Sequence, residues 1–97
     1  MLAEEKKMLF ARIGGKVAYY RKMRGLTQIS LAEQIHVSRG VISRLEGGRY
    51  NNNISLGLLV DVAEALDIEL SLLLEFDEKE KKTWWGNANI TLTNVKT

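Results

Sequence analysis

Only His36 and Val37 lie between Ile35, the end of one short amphipathic stretch, and Ser38, the cap of the next, and that two-residue gap constrains the fold more tightly than any other feature of this sequence. In the first stretch, about Gln28 to Ile35, the Thr27 hydroxyl is placed to cap the N-terminus. Leu31, Ala32 and Ile35 fall on one side, and Gln28, Ser30, Glu33 and Gln34 stay polar. In the second, Arg39 to Glu46, Ser38 offers the cap, Ile42 and Leu45 point inward, and Arg39, Gly40, Ser43 and Arg44 take the remaining surface. Two helices joined this closely cross at short range. The small Ala32 permits the approach, and Leu31, Ile35, Val37, Ile42 and Leu45 supply the apolar contacts that lock the pair against a third helix.

That third helix is legible upstream. Leu9, Ile13, Val17 and Tyr20 recur at three- and four-residue spacing between Met8 and Arg24, with Arg12, Lys16, Lys22 and Arg24 on other faces, and Gly25 stops the run. Gly14-Gly15 weakens its first turn, so the well-formed helix is expected to begin near Gly15, with residues 1–10 a loosely held lead-in. Proline is absent, and the other breaks fall at Gly47-Gly48 with Asn51-Asn52-Asn53 and at Gly86-Asn87. Ser55 caps a fourth helix, Leu56 to Leu66, whose Leu56, Leu59, Val60, Ala63 and Leu66 form a wide apolar stripe. After Asp67 the pattern is ambiguous. Ile68, Leu70, Leu72, Leu74 and Phe76 alternate as in a strand, while Ile68, Leu72, Leu73 and Phe76 also satisfy helical spacing. Asp77 to Lys82 reads as a charged loop, and the alternation of Ile90, Leu92 with Thr91, Thr93 reads as a β-arm or hairpin.

Ninety-seven residues, 45% of them hydrophobic, describe one core. With no cysteine, neither a disulfide framework nor a thiolate metal site holds it. Glu4 and Glu5 sit among the N-terminal lysines and no apolar stretch approaches a signal sequence or membrane span, so the expectation is a cytoplasmic chain with no membrane partner. The N-x-[ST] matches at Asn53 and Asn89 accordingly carry no weight. Gly14-Gly15-Lys16 lacks the full spacing of a phosphate loop. The single histidine, His36, has no second ligand beside it and no nucleophile and orienting group at workable spacing, so no metal, no cofactor and no enzymatic site are expected. Glu75, Asp77, Glu78 and Glu80 interleave with lysines as a solvated loop does. Charge is distributed unevenly. Residues 1–50 carry 10 Lys+Arg against 4 Asp+Glu, residues 51–97 carry 4 against 8, and a polyanion would meet the first half.

Gly25-Leu26-Thr27-Gln28 with Leu31-Ala32, then Val37-Ser38-Arg39, Ile42-Ser43-Arg44-Leu45-Glu46 and Ala63-Glu64-Ala65-Leu66, resembles the Xre/Cro phage-repressor family over roughly residues 12–74. The resemblance implies an all-α, lambda-repressor-like helix-turn-helix domain of four to five helices that regulates transcription on double-stranded DNA, commonly as a homodimer. Residues 1–10 are then a lead-in, 11–74 the DNA-binding domain and 75–97 a C-terminal extension. By matched position, Gln28 contacts a phosphate at the positive end of its helix. Arg39, Gly40, Ser43 and Arg44 face bases, the arginines suiting the O6 and N7 acceptors of guanine. Gly40 departs from the side-chain-bearing residue usual there and would contribute close backbone approach, with Val41 a weaker candidate for a thymine methyl. Arg49 resembles the family's basic loop residue on phosphate, and the helix starts Thr27 and Ser38 complete the DNA-binding set. Arg21 and Glu46 match a pair that joins the stretch Arg39 to Glu46 to the upstream helix, and His36 stands where the family has a left-handed glycine.

Beyond the resemblance, Leu58, Leu70 and Leu72 exceed what one small core needs, which points to a homodimer interface from the fourth helix onward, with the C-terminal β-arm contributing. Two readings follow: a repressor acting as a dimer on a pseudo-palindromic operator, or an antitoxin whose acidic second half and Trp84-Trp85 tail engage a toxin protein.

Overall fold

The computed structural model describes residues 2–49 and 53–77. In chain order it contains α1 (Ala3–Met23), α2 (Gln28–Gln34), α3 (Arg39–Glu46), α4 (Leu56–Leu66) and α5 (Ser71–Leu74), with no strand among the described residues. The all-α expectation holds. The proposed β-arm, the Trp84-Trp85 pair and the loop through Lys82 lie outside the described residues, apart from Asp77.

Two of the three expected caps form. Thr27 Oγ1 accepts from Ser30 N at 3.0 Å, and Ser55 Oγ accepts from Leu58 N at 2.9 Å. Ser38 has the extended backbone of a cap, but its side chain makes no capping hydrogen bond.

The start of α1 corrects the sequence reading. The helix begins at Ala3 and runs unbroken through Gly14-Gly15. Propensity alone would break it there, since each glycine costs roughly 1 kcal/mol against alanine. Tertiary packing overrides that penalty. A Cβ on Gly14 would collide with Leu45 O and lie 2.8 Å from Glu46 O, so the missing side chain lets α1 rest directly on the end of α3. At the exposed end, Glu4 and Glu5 complement the positive helix terminus and Glu5 Oε1 accepts from Leu2 N at 2.7 Å.

The core gathers Val17 from α1, Leu31 from α2, Ile42 and Leu45 from α3, Val62 and Leu66 from α4 and Leu73 from α5, all fully buried. Ile13, Ala32, Leu59 and Ala63 complete it. On α4 the inward stripe is rotated from the expected one. Val62 is buried, whereas Leu56 and Val60 stand 61% and 37% exposed. The ambiguity after Asp67 resolves as helix: α5 is one short turn that inserts Leu73, with Ile68, Leu72 and Phe76 half-buried around it.

The four longer helices stop in the same way, by a residue in the left-handed region: Gly25 (φ 71°), His36 (φ 61°), Gly48 (φ 68°) and Asp67 (φ 55°). In each case the next amide turns back to satisfy an orphan carbonyl, as in Leu26 N to Arg21 O, Val37 N to Ala32 O, Arg49 N to Arg44 O and Ile68 N to Ala63 O, at 2.8 to 3.1 Å. His36 therefore is the turn residue the sequence suggested. Asp67 was not foreseen. Its turn is braced from α1, where Arg24 donates to Leu66 O at 2.7 Å and to Asp67 O at 3.0 Å.

Candidate nucleic-acid interface

Ile42 and Leu45 anchor α3 in the core, and the residues between them are thereby forced outward. Ser38, Arg39, Gly40 and Arg44 are exposed along that outer side, and Val41 and Ser43 are half-buried at its margins. The first turn of α3 carries no acidic residue to offset the partial positive charge of its N-terminus. Past the helix, Arg49 folds back toward it and donates from Nη2 to Ser43 Oγ at 3.3 Å. The arginines at 39, 44 and 49 thus lie along one short helix and the turn that ends it.

Gln28 makes a contact within the fold that the sequence did not indicate. At the first position of α2 its Nε2 donates to Glu46 Oε1 at 3.0 Å, which ties it to the Arg21–Glu46 ion pair. The amide has a second N–H that this bond leaves unused. Sequence reasoning identified Arg21 with Glu46 as structural and missed the third member, because a glutamine at a helix start gives no signal of a partner eighteen residues away. Thr27 is exposed at the cap of α2 and engaged with Ser30.

The loop after α3 is also held from α1. A Cβ on Gly48 would come within 2.8 Å of the Ala11 backbone, so this glycine serves both its left-handed turn and a close helix contact. Arg49 is consequently presented from a firm base. A shallow concavity elsewhere, lined by Gln34, Ile35, His36, Asp61, Glu64 and Ala65, includes none of the DNA-facing candidates and bears two carboxylates. It has the wrong sign for phosphate. Among the described residues there is no group of three or more His, Cys, Asp or Glu able to hold a metal ion, and no helix long and apolar enough to cross a membrane.

The family model described as helix-turn-helix matches residues 17–73, more than half of the chain. The chain belongs to the Xre/Cro-type helix-turn-helix family. Among its relatives, the immunity repressor protein of Bacillus phage phi105 is 36% identical over 81 aligned residues, covering 72% of this chain. The chain spans about 55% of that protein's length. An uncharacterized HTH-type transcriptional regulator of Methanocaldococcus jannaschii is 35% identical over 63 residues, covering 65% of this chain and 96% of the relative. Of solved structures, the restriction-modification controller protein C.AhdI from Aeromonas hydrophila superposes with a TM-score of 0.62 at 31% identity, covering 66% of this chain and 94% of that one. The clp gene regulator ClgR from C. glutamicum superposes with a TM-score of 0.63 at 35% identity, covering 68% and 83%. This helix-turn-helix chain is in class a DNA-binding transcriptional regulator. The family match begins at residue 17, so the first two thirds of α1, which carry Ala11 and Gly14, lie ahead of it.

Proposed function

We propose that this helix-turn-helix protein represses transcription by binding a pseudo-palindromic operator as a homodimer, with α3 of each copy in the major groove. The observation that carries the reading is the division of α3 itself, with Ile42 and Leu45 fully buried on one side and Arg39 and Arg44 exposed on the other. A helix so anchored presents its arginines at a fixed height and angle, which is what reading O6 and N7 of guanine requires. In this assignment Arg39 and Arg44 read bases, with Gly40 and Ser43 on the face between them. Arg49 and the second N–H of Gln28 hold phosphates, and Thr27 and Ser38 flank them at the two helix starts.

Two exposed apolar residues one turn apart on α4, Leu56 and Val60, support a second copy as partner. Dimers of this architecture engage half-sites about 34–36 Å apart, one turn of B-DNA. The name of the phi105 relative, an immunity repressor, agrees with repression.

Selection of bound sequences from a random duplex pool tests the proposal. The expected product is an inverted repeat with half-site centres one helical turn apart, whose binding weakens steeply as salt rises. An enriched sequence without two-fold symmetry, or no enrichment at all, overturns it.

A further inference from the structure

A side chain on an α-helix leans toward the N-terminus and covers the turn that precedes it, so Arg44 lies over residue 40. Residue 40 is glycine, in the first turn of α3. The position its Cβ would occupy is 3.5 Å from Arg44 Nη1 and 3.7 Å from Ser38 Oγ, the nearest atoms apart from its chain neighbours and the backbone of its own helix. The exposed face of α3 therefore carries a small notch, with the guanidinium on one wall and the cap hydroxyl on the other. Ser38 Oγ is at this notch instead of making a capping hydrogen bond to the helix.

We propose that Gly40 determines specificity without reading a base: by carrying no side chain it leaves the seat that holds the Arg44 guanidinium at the leading end of the recognition helix. The inference rests on the DNA-reading role given above to Arg44. It differs from close approach of the Gly40 backbone to DNA, because a methyl group at 3.5 Å from Arg44 is ordinary contact, whereas a longer side chain extends through the seat. A guanidinium reads guanine with two coplanar N–H groups, and an arginine already held in that plane loses less conformational freedom on binding. Losing the seat should therefore weaken discrimination while the fold stays intact, since Gly40 is exposed and touches no core residue.

The test is a double-mutant cycle on operator and random duplex, with Gly40→Ala, Gly40→Gln, Arg44→Ala and the Gly40→Gln/Arg44→Ala combination, each checked for helix content and melting temperature. Gly40→Gln is expected to reduce the operator-to-random affinity ratio by about tenfold, the scale of one lost bidentate base contact. Gly40→Ala should give a clearly smaller reduction, and Gly40→Gln should add less than about twofold once Arg44 is alanine, as coupled residues do. Equal losses from alanine and glutamine point to backbone approach and overturn the proposal, as does a glutamine cost that is the same in both backgrounds. Crystal structures of the unbound wild type and Gly40→Gln separate this proposal from the DNA-binding reading. The guanidinium should leave residue 40 in the variant. If it stays, the seat is refuted whatever the protein binds; if it moves while the wild type selects no sequence, the DNA reading alone fails.

Discussion

Arg21 on α1 and Glu46 at the end of α3 meet through two parallel hydrogen bonds, Nε to Oε2 at 2.6 Å and Nη2 to Oε1 at 3.0 Å. The remaining guanidinium nitrogen donates to Leu26 O at 2.7 Å, and Gln28 adds a further bond to Glu46 Oε1. One ion pair thus joins α1, the turn after it, the start of α2 and the end of α3. Its side chains are only 10% and 7% exposed, so both charges are largely withdrawn from water and depend on each other.

Glu46→Gln keeps the shape of that junction and removes its negative charge, leaving the Arg21 guanidinium uncompensated. Stability should fall by about 3 kcal/mol, the lower end for a broken buried pair. Urea denaturation should show a lower midpoint at unchanged slope. A loss below about 1 kcal/mol would instead be the behaviour of a solvent-exposed pair.

Adjacent glycines on α1 should respond in opposite directions. Gly15 has nothing within 4 Å of its Cβ position, so Gly15→Ala should raise stability by about 0.5–1 kcal/mol through helix propensity. Gly14→Ala drives a methyl into the Leu45 and Glu46 carbonyls and should lower stability by about 1–3 kcal/mol or more. Thermal melting of the two variants checks the sign of each. Two changes of the same sign would mean that α1 does not rest on α3 at Gly14.

This pair also shows what a sequence conveys and what it withholds. The buried positions Leu31, Ala32, Ile42 and Leu45 and the cap at Thr27 were legible because each rests on spacing within one or two turns, whereas the pairing of Arg21 with Glu46, twenty-five residues apart, came from the family resemblance. Gly14 was misread, since local propensity counts its cost while the benefit comes from a contact thirty-one residues away. The inward stripe expected on α4 included Val60 and omitted the buried Val62 for a related reason. An apolar run such as Leu58-Leu59-Val60 gives no contrast by which to orient a helix, and only the neighbours of α4 decide. Within the interface, the outward face of α3 followed from its period, but the notch at Gly40 needed atomic distances.

His36 tests whether its position is a turn and nothing more. A β-branched residue resists the left-handed conformation, so His36→Val should cost about 1–3 kcal/mol. His36→Gly should match or exceed the wild type in melting temperature. Loss of stability in the glycine variant would show that the imidazole itself contributes contacts.

Leu56 and Val60 point away from the core, so charging them should not unfold the monomer. Leu56→Lys with Val60→Lys should retain helix content and abolish the proposed homodimer, sedimenting as a monomer at concentrations where the wild type is expected to dimerise. Binding to a two-half-site operator should fall towards the affinity for a single half-site. A charged variant that stays dimeric would move the interface off this face of α4.

The arginines of the interface should separate by the kind of affinity they supply. Arg44 sits on the outer side of α3 over Gly40, where a contact to a base edge is worth about 1–3 kcal/mol of discrimination. Arg44→Ala should therefore weaken operator binding by about tenfold and random DNA far less. Arg49 sits beyond the helix, its guanidinium on Ser43 Oγ and its turn pressed against Ala11, which suits a phosphate. Arg49→Ala should weaken operator and random duplex alike, and should reduce the slope of log affinity against log salt by about 1. Both variants should melt as the wild type does, because neither side chain is buried. Fluorescence anisotropy on the two duplexes across a salt series distinguishes them. Were Arg44→Ala to lower both affinities equally, or Arg49→Ala to leave the salt slope untouched, the roles assigned to the two arginines would have to be exchanged or withdrawn.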